Sequence, residues 1–166
     1  MQGARDPRET DARVFAEAAH ADQKYGDAPY VKHLTMVRAV LADFGYGGAL
    51  GVAAWLHDVV EDTPVSRQEV ETRFGSDVAE LVWAVTGVGA DRKERNATAY
   101  AKIRALPAAA ILKLADRIAN VEASRDVPKK LALYRAEWGA FRKALGDLGD
   151  PRMWARLERA IAAGPS

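Results

Sequence analysis

From Leu50 to Val60 the chain is apolar on almost every side of a helical wheel: Leu50, Val52, Ala53, Ala54, Trp55, Leu56, Val59 and Val60 fall in one stretch. A helix without a polar face has to be enclosed by other elements. This helix, expected from about Ala49 to Val60, is therefore the buried centre of whatever surrounds it. The surroundings are helical as well, because apolar residues elsewhere recur at helical spacing and no alternating run reads as a strand.

A first helix is expected from about Asp11 to Gln23, burying Val14, Phe15 and Ala18, and a second from Val31 to Phe44. Between them, Tyr25-Gly26-Asp27-Ala28-Pro29-Tyr30 has the composition of a turn. Asp62-Thr63-Pro64 stops the central helix. Ser66 with Glu69 forms a capping box that opens a fourth helix, ending near Phe74-Gly75. A fifth covers Ser76 to Val85. The charged stretch Asp91-Arg92-Lys93-Glu94-Arg95 reads as a loop or an exposed helix start, ahead of a helix that begins near Thr98 and ends before Pro107. Ala108 to Ser124 turns Ile111, Leu112, Leu114, Ala115 and Ile118 inward. The last two helices run from Lys129 to Leu145 and from Pro151 to Ala163, with Asp150 as cap and Pro151 in the first position. The fold class is all-α: a single-domain helical bundle over residues 9–163, with flexible ends at 1–8 and 164–166.

The chain has 166 residues, enough for one domain with its own core. It contains no cysteine, which excludes disulfides, thiolate metal sites and a cysteine nucleophile. A formal charge of +1 gives no ground for nucleic-acid binding. No apolar run approaches the ~20 residues of a membrane span. The polar, charged start from Met1 to Asp11 is unlike a secretory signal, so a cytoplasmic location is expected.

Chemistry concentrates at the end of the central helix. His57-Asp58 is followed by Glu61 and Asp62, and a spacing of four stacks Glu61 over His57 and Asp62 over Asp58. Three carboxylates within five residues at the C-terminal end of a buried helix repel one another and oppose the helix dipole. A divalent cation would offset this; a solvated last turn with an ordinary half-buried histidine is the alternative. Asp116 interrupts the apolar face of the Ala108–Ser124 helix, with Lys113 and Asn120 on the same side, and either a metal or a salt bridge to Lys113 or Arg117 would satisfy it. His33 opens its helix directly after the Pro29-Tyr30 turn. His20 has no acidic or histidine companion at useful spacing and reads as structural or as a residue behind the site. Two imidazoles and two carboxylates suit manganese, ferrous iron or zinc, and three histidines in all favour a single ion.

His33, the His57-Asp58 doublet and Asp116 on successive helices resemble the HD phosphohydrolase superfamily. The stretch Ala54-Trp55-Leu56-His57-Asp58-Val59-Val60-Glu61-Asp62-Thr63 is similar to the HDxxEDT motif of the RelA/SpoT hydrolase domain and the stand-alone small alarmone hydrolases. Pro29-Tyr30, Phe74-Gly75, Val85-Thr86 and Lys113-Leu114-Ala115-Asp116-Arg117 with Asn120 match in order, over roughly residues 15 to 145. Those enzymes remove the 3′-pyrophosphate from (p)ppGpp. The resemblance implies His33, His57, Asp58 and Asp116 as metal ligands and Glu61 and Asp62 as the acid/base pair acting on water. It implies Asn120 as a contact to the sugar and phosphate, and Lys113 as support. The implied cofactor is one divalent ion, Mn2+ first, with Fe2+, Zn2+ or Mg2+ as alternatives.

Two departures bear on the substrate. The family's turn reads H-x-G-Q-x-R-x-S-G-E-P-Y, with the arginine contacting guanine. Here His20 to Tyr30 is one residue shorter, and Lys24 or Tyr25 falls on the arginine, neither of them a planar guanidinium. After Asn120 the family commonly has Met-Arg-Thr, against Val121-Glu122-Ala123 here, so Glu122 would weaken anion binding if it pointed inward. The expected partner is thus a small phosphorylated nucleotide, first a guanosine alarmone that is hydrolysed but not synthesised, since no synthetase domain fits the remaining length. A different nucleotide such as NADPH is the second reading, and a catalytically silent nucleotide-binding module the third. The sequence leaves the oligomeric state open.

Overall fold

The computed structural model describes residues 5–164. Its helices are α1 (Glu9–Ala19), α2 (Val31–Asp43), α3 (Gly48–Leu56), α4 (Val59–Asp62), α5 (Arg67–Phe74), α6 (Ser76–Val85), α7 (Arg92–Ala105), α8 (Ala109–Ala123), α9 (Pro128–Leu145) and α10 (Pro151–Ala162). A hairpin of two short strands, β1 (Lys24–Tyr25) and β2 (Ala28–Pro29), separates α1 from α2. Of the ends expected to be flexible, residues 1–4, 165 and 166 lie outside the described part. Within 5–8, Arg8 holds Asp77 at 2.9 Å and also donates to the Phe74 carbonyl.

The apolar run from Gly51 to Leu56 is buried on all sides, as its composition requires. It shares the centre with α8, where Leu112, Leu114, Ala115 and Ile118 are buried and Ile111 is only half-buried. Helices α1, α2, α6 and α8 pack around α3. On α1 the buried positions are Ala12 and Ala16, whereas Val14 is 62% exposed and Ala18 is also on the outside. Small alanines let α1 lie close against α3, and Phe15 packs edge-on against Phe74 at its margin. Glu9 is buried in the same region and is held by Arg38 and by Trp55 Nε1, so its charge is paired.

The expected first helix stops at Ala19 rather than Gln23, because His20 to Gln23 turn the chain toward the hairpin. The turn expected from composition is that hairpin, with Tyr25 paired to Ala28 across Gly26-Asp27. Gly26 takes φ +61° and no other residue type in the described chain has positive φ, which is the glycine-first form of a two-residue loop.

The central helix is not continuous to Val60. It breaks at His57 and Asp58, and Asp58 at φ −104°, ψ 0° starts the single turn α4. Glu61 and Asp62 therefore lie in the first turn of a new helix, not at the C-terminal end of a long one. The dipole conflict read from sequence is relieved by that break.

Several caps form as expected. Ser66 Oγ accepts from Glu69 N, and Asp150 accepts from Arg152 N with Pro151 in the first position. The charged stretch before Thr98 proves to be helix: Asp91 caps α7, which begins at Arg92.

Candidate metal centre

Three elements converge at the break after α3. His33 comes from the first turn of α2, His57 and Asp58 from the break itself, and Asp116 from the middle of α8. Each of the four offers a donor atom, and these atoms all lie within 4.8 Å of one another. His57 Nε2 is 3.0 Å from Asp58 Oδ2, 3.2 Å from Asp116 Oδ1 and 3.3 Å from His33 Nε2. His33 Nε2 is 3.0 Å from Asp116 Oδ1. Both imidazoles are almost fully enclosed, at 1% and 2% exposure.

The hydrogen bonds fix what this cluster needs. His57 Nδ1 is 2.7 Å from the Ala54 carbonyl, which can only accept, so the Nδ1 proton is committed there. The neutral ring then points a lone pair at two carboxylate oxygens and a second imidazole nitrogen. Only positive charge at the centre makes that arrangement favourable. Burial works to lower the His57 pKa, but Asp58 and Asp116 outweigh it and raise it well above the ordinary value. Burial also works against charge on Asp58, yet His57 holds its carboxyl down at about 2. Asp116 is likewise held well below the usual range, against burial, by Lys113 and the two histidines. Two imidazole nitrogens and two carboxylates within this span fit a divalent metal ion.

Side chains around the cluster orient it. Tyr30 Oη donates to Asp58 Oδ2 at 2.5 Å. Lys113 Nζ lies 3.3 Å from Asp116 Oδ2, so the salt bridge allowed by sequence exists within the cluster, while Arg117 turns away to Glu137. Asn120 Nδ2 donates to Asp116 Oδ1 at 3.0 Å and Asn120 Oδ1 accepts from Tyr25 Oη at 2.9 Å. His20, buried behind the site, pairs with Gln23 at 2.7 Å, and Gln23 Nε2 donates to Asp62 Oδ2 at 3.1 Å. Glu61 accepts from the Gly87 backbone N–H. Burial raises the pKa of both Glu61 and Asp62, and the neighbouring Asp58 charge adds to the effect. Carboxyls so shifted are suited to taking up a proton.

The centre opens into a cleft of 780 Å³, within the range of small-molecule sites. Asp58, Glu61, Asp62, Asp116, Lys113 and Asn120 line it, as does His57, while His33 lies behind them. Of the two residues competing for the family's arginine position, Lys24 is exposed away from the cleft and Tyr25 is folded onto His33. Glu122 points outward, paired with Arg156 at 2.8 Å, so it does not face the cleft. Sequence reasoning missed Arg92, Arg95 and Asn96, which reach the same cleft from the start of α7. The signal was present in the basic residues at 92 and 95, three apart, which a helix places on one face. It also missed Tyr30, whose spacing of three from His33 aims both at one point.

A family model described as an HD domain matches residues 12–138. The chain belongs to the HD domain family. Among other members, it is 38% identical over 117 residues to the guanosine-3′,5′-bis(diphosphate) 3′-pyrophosphohydrolase of Aquifex aeolicus, covering 67% of this chain and 17% of that protein. It is 37% identical over 123 residues to the bifunctional (p)ppGpp synthase/hydrolase SpoT of Escherichia coli, covering 66% and 17%. The chain thus spans about a sixth of the length of these curated relatives. The solved structure of a metazoan ortholog of SpoT that hydrolyzes ppGpp superposes with a TM-score of 0.81 at 25% identity, covering 96% of each chain. This HD domain therefore has the helical fold of that hydrolase over nearly its whole length. No helix of the described residues is long and apolar enough to cross a membrane.

Proposed function

We propose that this HD domain is a metal-dependent pyrophosphohydrolase that removes the 3′-pyrophosphate of a guanosine alarmone, ppGpp, using one divalent ion, Mn2+ first among the candidates. The observation that carries the reading is the four-donor cluster at the floor of the cleft, with Glu61 and Asp62 beside it. The relatives named for ppGpp hydrolysis supply the substrate.

In this reading His33, His57, Asp58 and Asp116 hold the ion. A divalent cation there supplies positive charge to a phosphoryl oxygen and to an attacking water. Glu61 and Asp62 take the water's proton and hand one to the departing oxygen. Their partners, Gly87 N–H and Gln23, keep both carboxylates aimed into the cleft. Asn120 and Lys113 face the sugar and phosphates. Also lining the cleft, Arg92 and Arg117 share Glu137, whereas Arg95 has no carboxylate partner among the described residues and remains available to an anion. Water and ppGpp then give GDP and pyrophosphate. With an intracellular nucleotide as its substrate, the enzyme would work in the cytoplasm.

A specific observation favours a second reading, the same chemistry on another phosphorylated nucleotide such as NADPH. Neither residue that could stand for the arginine with which the resembling hydrolases contact guanine carries a guanidinium: Lys24 is exposed and Tyr25 is engaged with Asn120. A panel of ppGpp, nucleotide 2′- and 3′-phosphates and NADPH, run with Mn2+, decides. Pyrophosphate from ppGpp supports the first reading and orthophosphate from another nucleotide the second. Silence across the panel with metal bound overturns both in favour of a binding module.

A further inference from the structure

We propose that Tyr25 is a positioning residue for the metal centre: it steadies His33 with its ring and Asp116 through Asn120. The inference rests on the reading of His33, His57, Asp58 and Asp116 as the metal-binding set.

Metal-binding histidines are ordinarily held by a hydrogen bond to the nitrogen that does not face the ion. His57 has one, from Nδ1 to the Ala54 carbonyl. His33 does not: its Nδ1 is buried and has no hydrogen-bond partner among the described residues. Something else must fix that ring. Tyr25 lies over it with ring centroids 4.8 Å apart and planes only 19° from parallel. Stacked aromatic pairs of this kind restrict both rings.

The Tyr25 hydroxyl reaches a second member of the set. Its Oη donates to Asn120 Oδ1 at 2.9 Å, and Asn120 Nδ2 donates to Asp116 Oδ1 at 3.0 Å. The relay also fixes which way the amide points, because an inverted Asn120 would set its oxygen against the Asp116 carboxylate. It ends on the carboxylate oxygen that faces both imidazoles, 3.0 Å from His33 Nε2 and 3.2 Å from His57 Nε2. One side chain therefore touches His33 and governs Asp116.

Its placement is set by the hairpin, where Tyr25 pairs with Ala28 across Gly26. The ring is also poorly offered to a nucleobase. His33 covers a face, Lys130 Nζ lies 5.4 Å from the centroid, and Tyr25 does not line the cleft.

The test is calorimetric titration of Mn2+ into the parent chain, Tyr25→Phe and Tyr25→Leu without substrate, followed by kinetics on the guanine and adenine forms of the bis(diphosphate). Loss of a partner behind a metal ligand weakens affinity by about 10- to 100-fold. Tyr25→Phe keeps the stack and loses the relay, so Mn2+ should bind about 10-fold more weakly, with Tyr25→Leu weaker again. At saturating metal, the guanine-to-adenine preference should match the parent. Unchanged Mn2+ affinity in Tyr25→Phe overturns the proposal, as does an altered base preference. A folding defect in Tyr25→Leu leaves Tyr25→Phe as the deciding variant. A parent that binds no metal overturns the underlying reading and this one with it, whereas a parent that binds metal but spares ppGpp leaves the titration to judge Tyr25.

Discussion

Asp58 and Asp116 outweigh burial and raise the His57 pKa well above its ordinary value, so at this ring a metal competes with a proton. Metal uptake should therefore release protons, and affinity should fall as the pH is lowered. Calorimetry in buffers of different ionisation enthalpy measures both. Asp58→Ala should weaken metal binding by more than about 100-fold, since it removes a donor and strands Tyr30 Oη. Glu61→Gln should bind metal like the parent and lose about 10²–10⁴ in kcat, as expected for a group that moves a proton. Asp58, Glu61, Asp62 and Asp116 stood out in the sequence as charges against apolar helices, but only the family resemblance joined His33 to them and implied the metal and proton-transfer roles. The contacts of Tyr25 with Asn120 and of Gln23 with Asp62 were not legible, because these partners lie across the chain and only the fold sets them side by side.

At the scale of elements, the break between α3 and α4 and the loop after α6 shape the working surface. Gly87 donates to Glu61 and packs so tightly on α7 that a Cβ there would sit 2.7 Å from Arg95 Cβ and 2.8 Å from the Arg95 carbonyl. Gly87→Ala should push the loop off α7, release Glu61 and lower kcat, while Mn2+ affinity stays at the parent value; titration and kinetics on one preparation test the pair. The Ser66 cap is remote from the site, and Ser66→Ala should cost about 1 kcal/mol of stability with unchanged kcat, read by denaturant unfolding. Helix existence was readable from apolar spacing and caps almost throughout. Two features were hidden. The central helix breaks where its apolar pattern continues unbroken through Val59 and Val60, so periodicity could not reveal it. The hairpin has two residues per strand, too short to show alternation.

At the scale of the molecule, the centre joins α2, the α3–α4 break and α8, the elements around which the rest is packed. An ion bound there acts on the folded state alone. At a free concentration 100 times its dissociation constant it should add about 2.7 kcal/mol of stability. For a chain of this size that corresponds to a fall in Tm of roughly 5–10 °C on chelation, readable by calorimetry with Mn2+ and with EDTA. Clamp and catalyst are then one site. The most direct measurement strips the purified chain with EDTA, returns Mn2+ in steps and follows pyrophosphate release from ppGpp against bound metal. The account predicts no release from the stripped protein and a rise that levels off at about one ion per chain. Undiminished release without metal, or none with one ion bound, would contradict it.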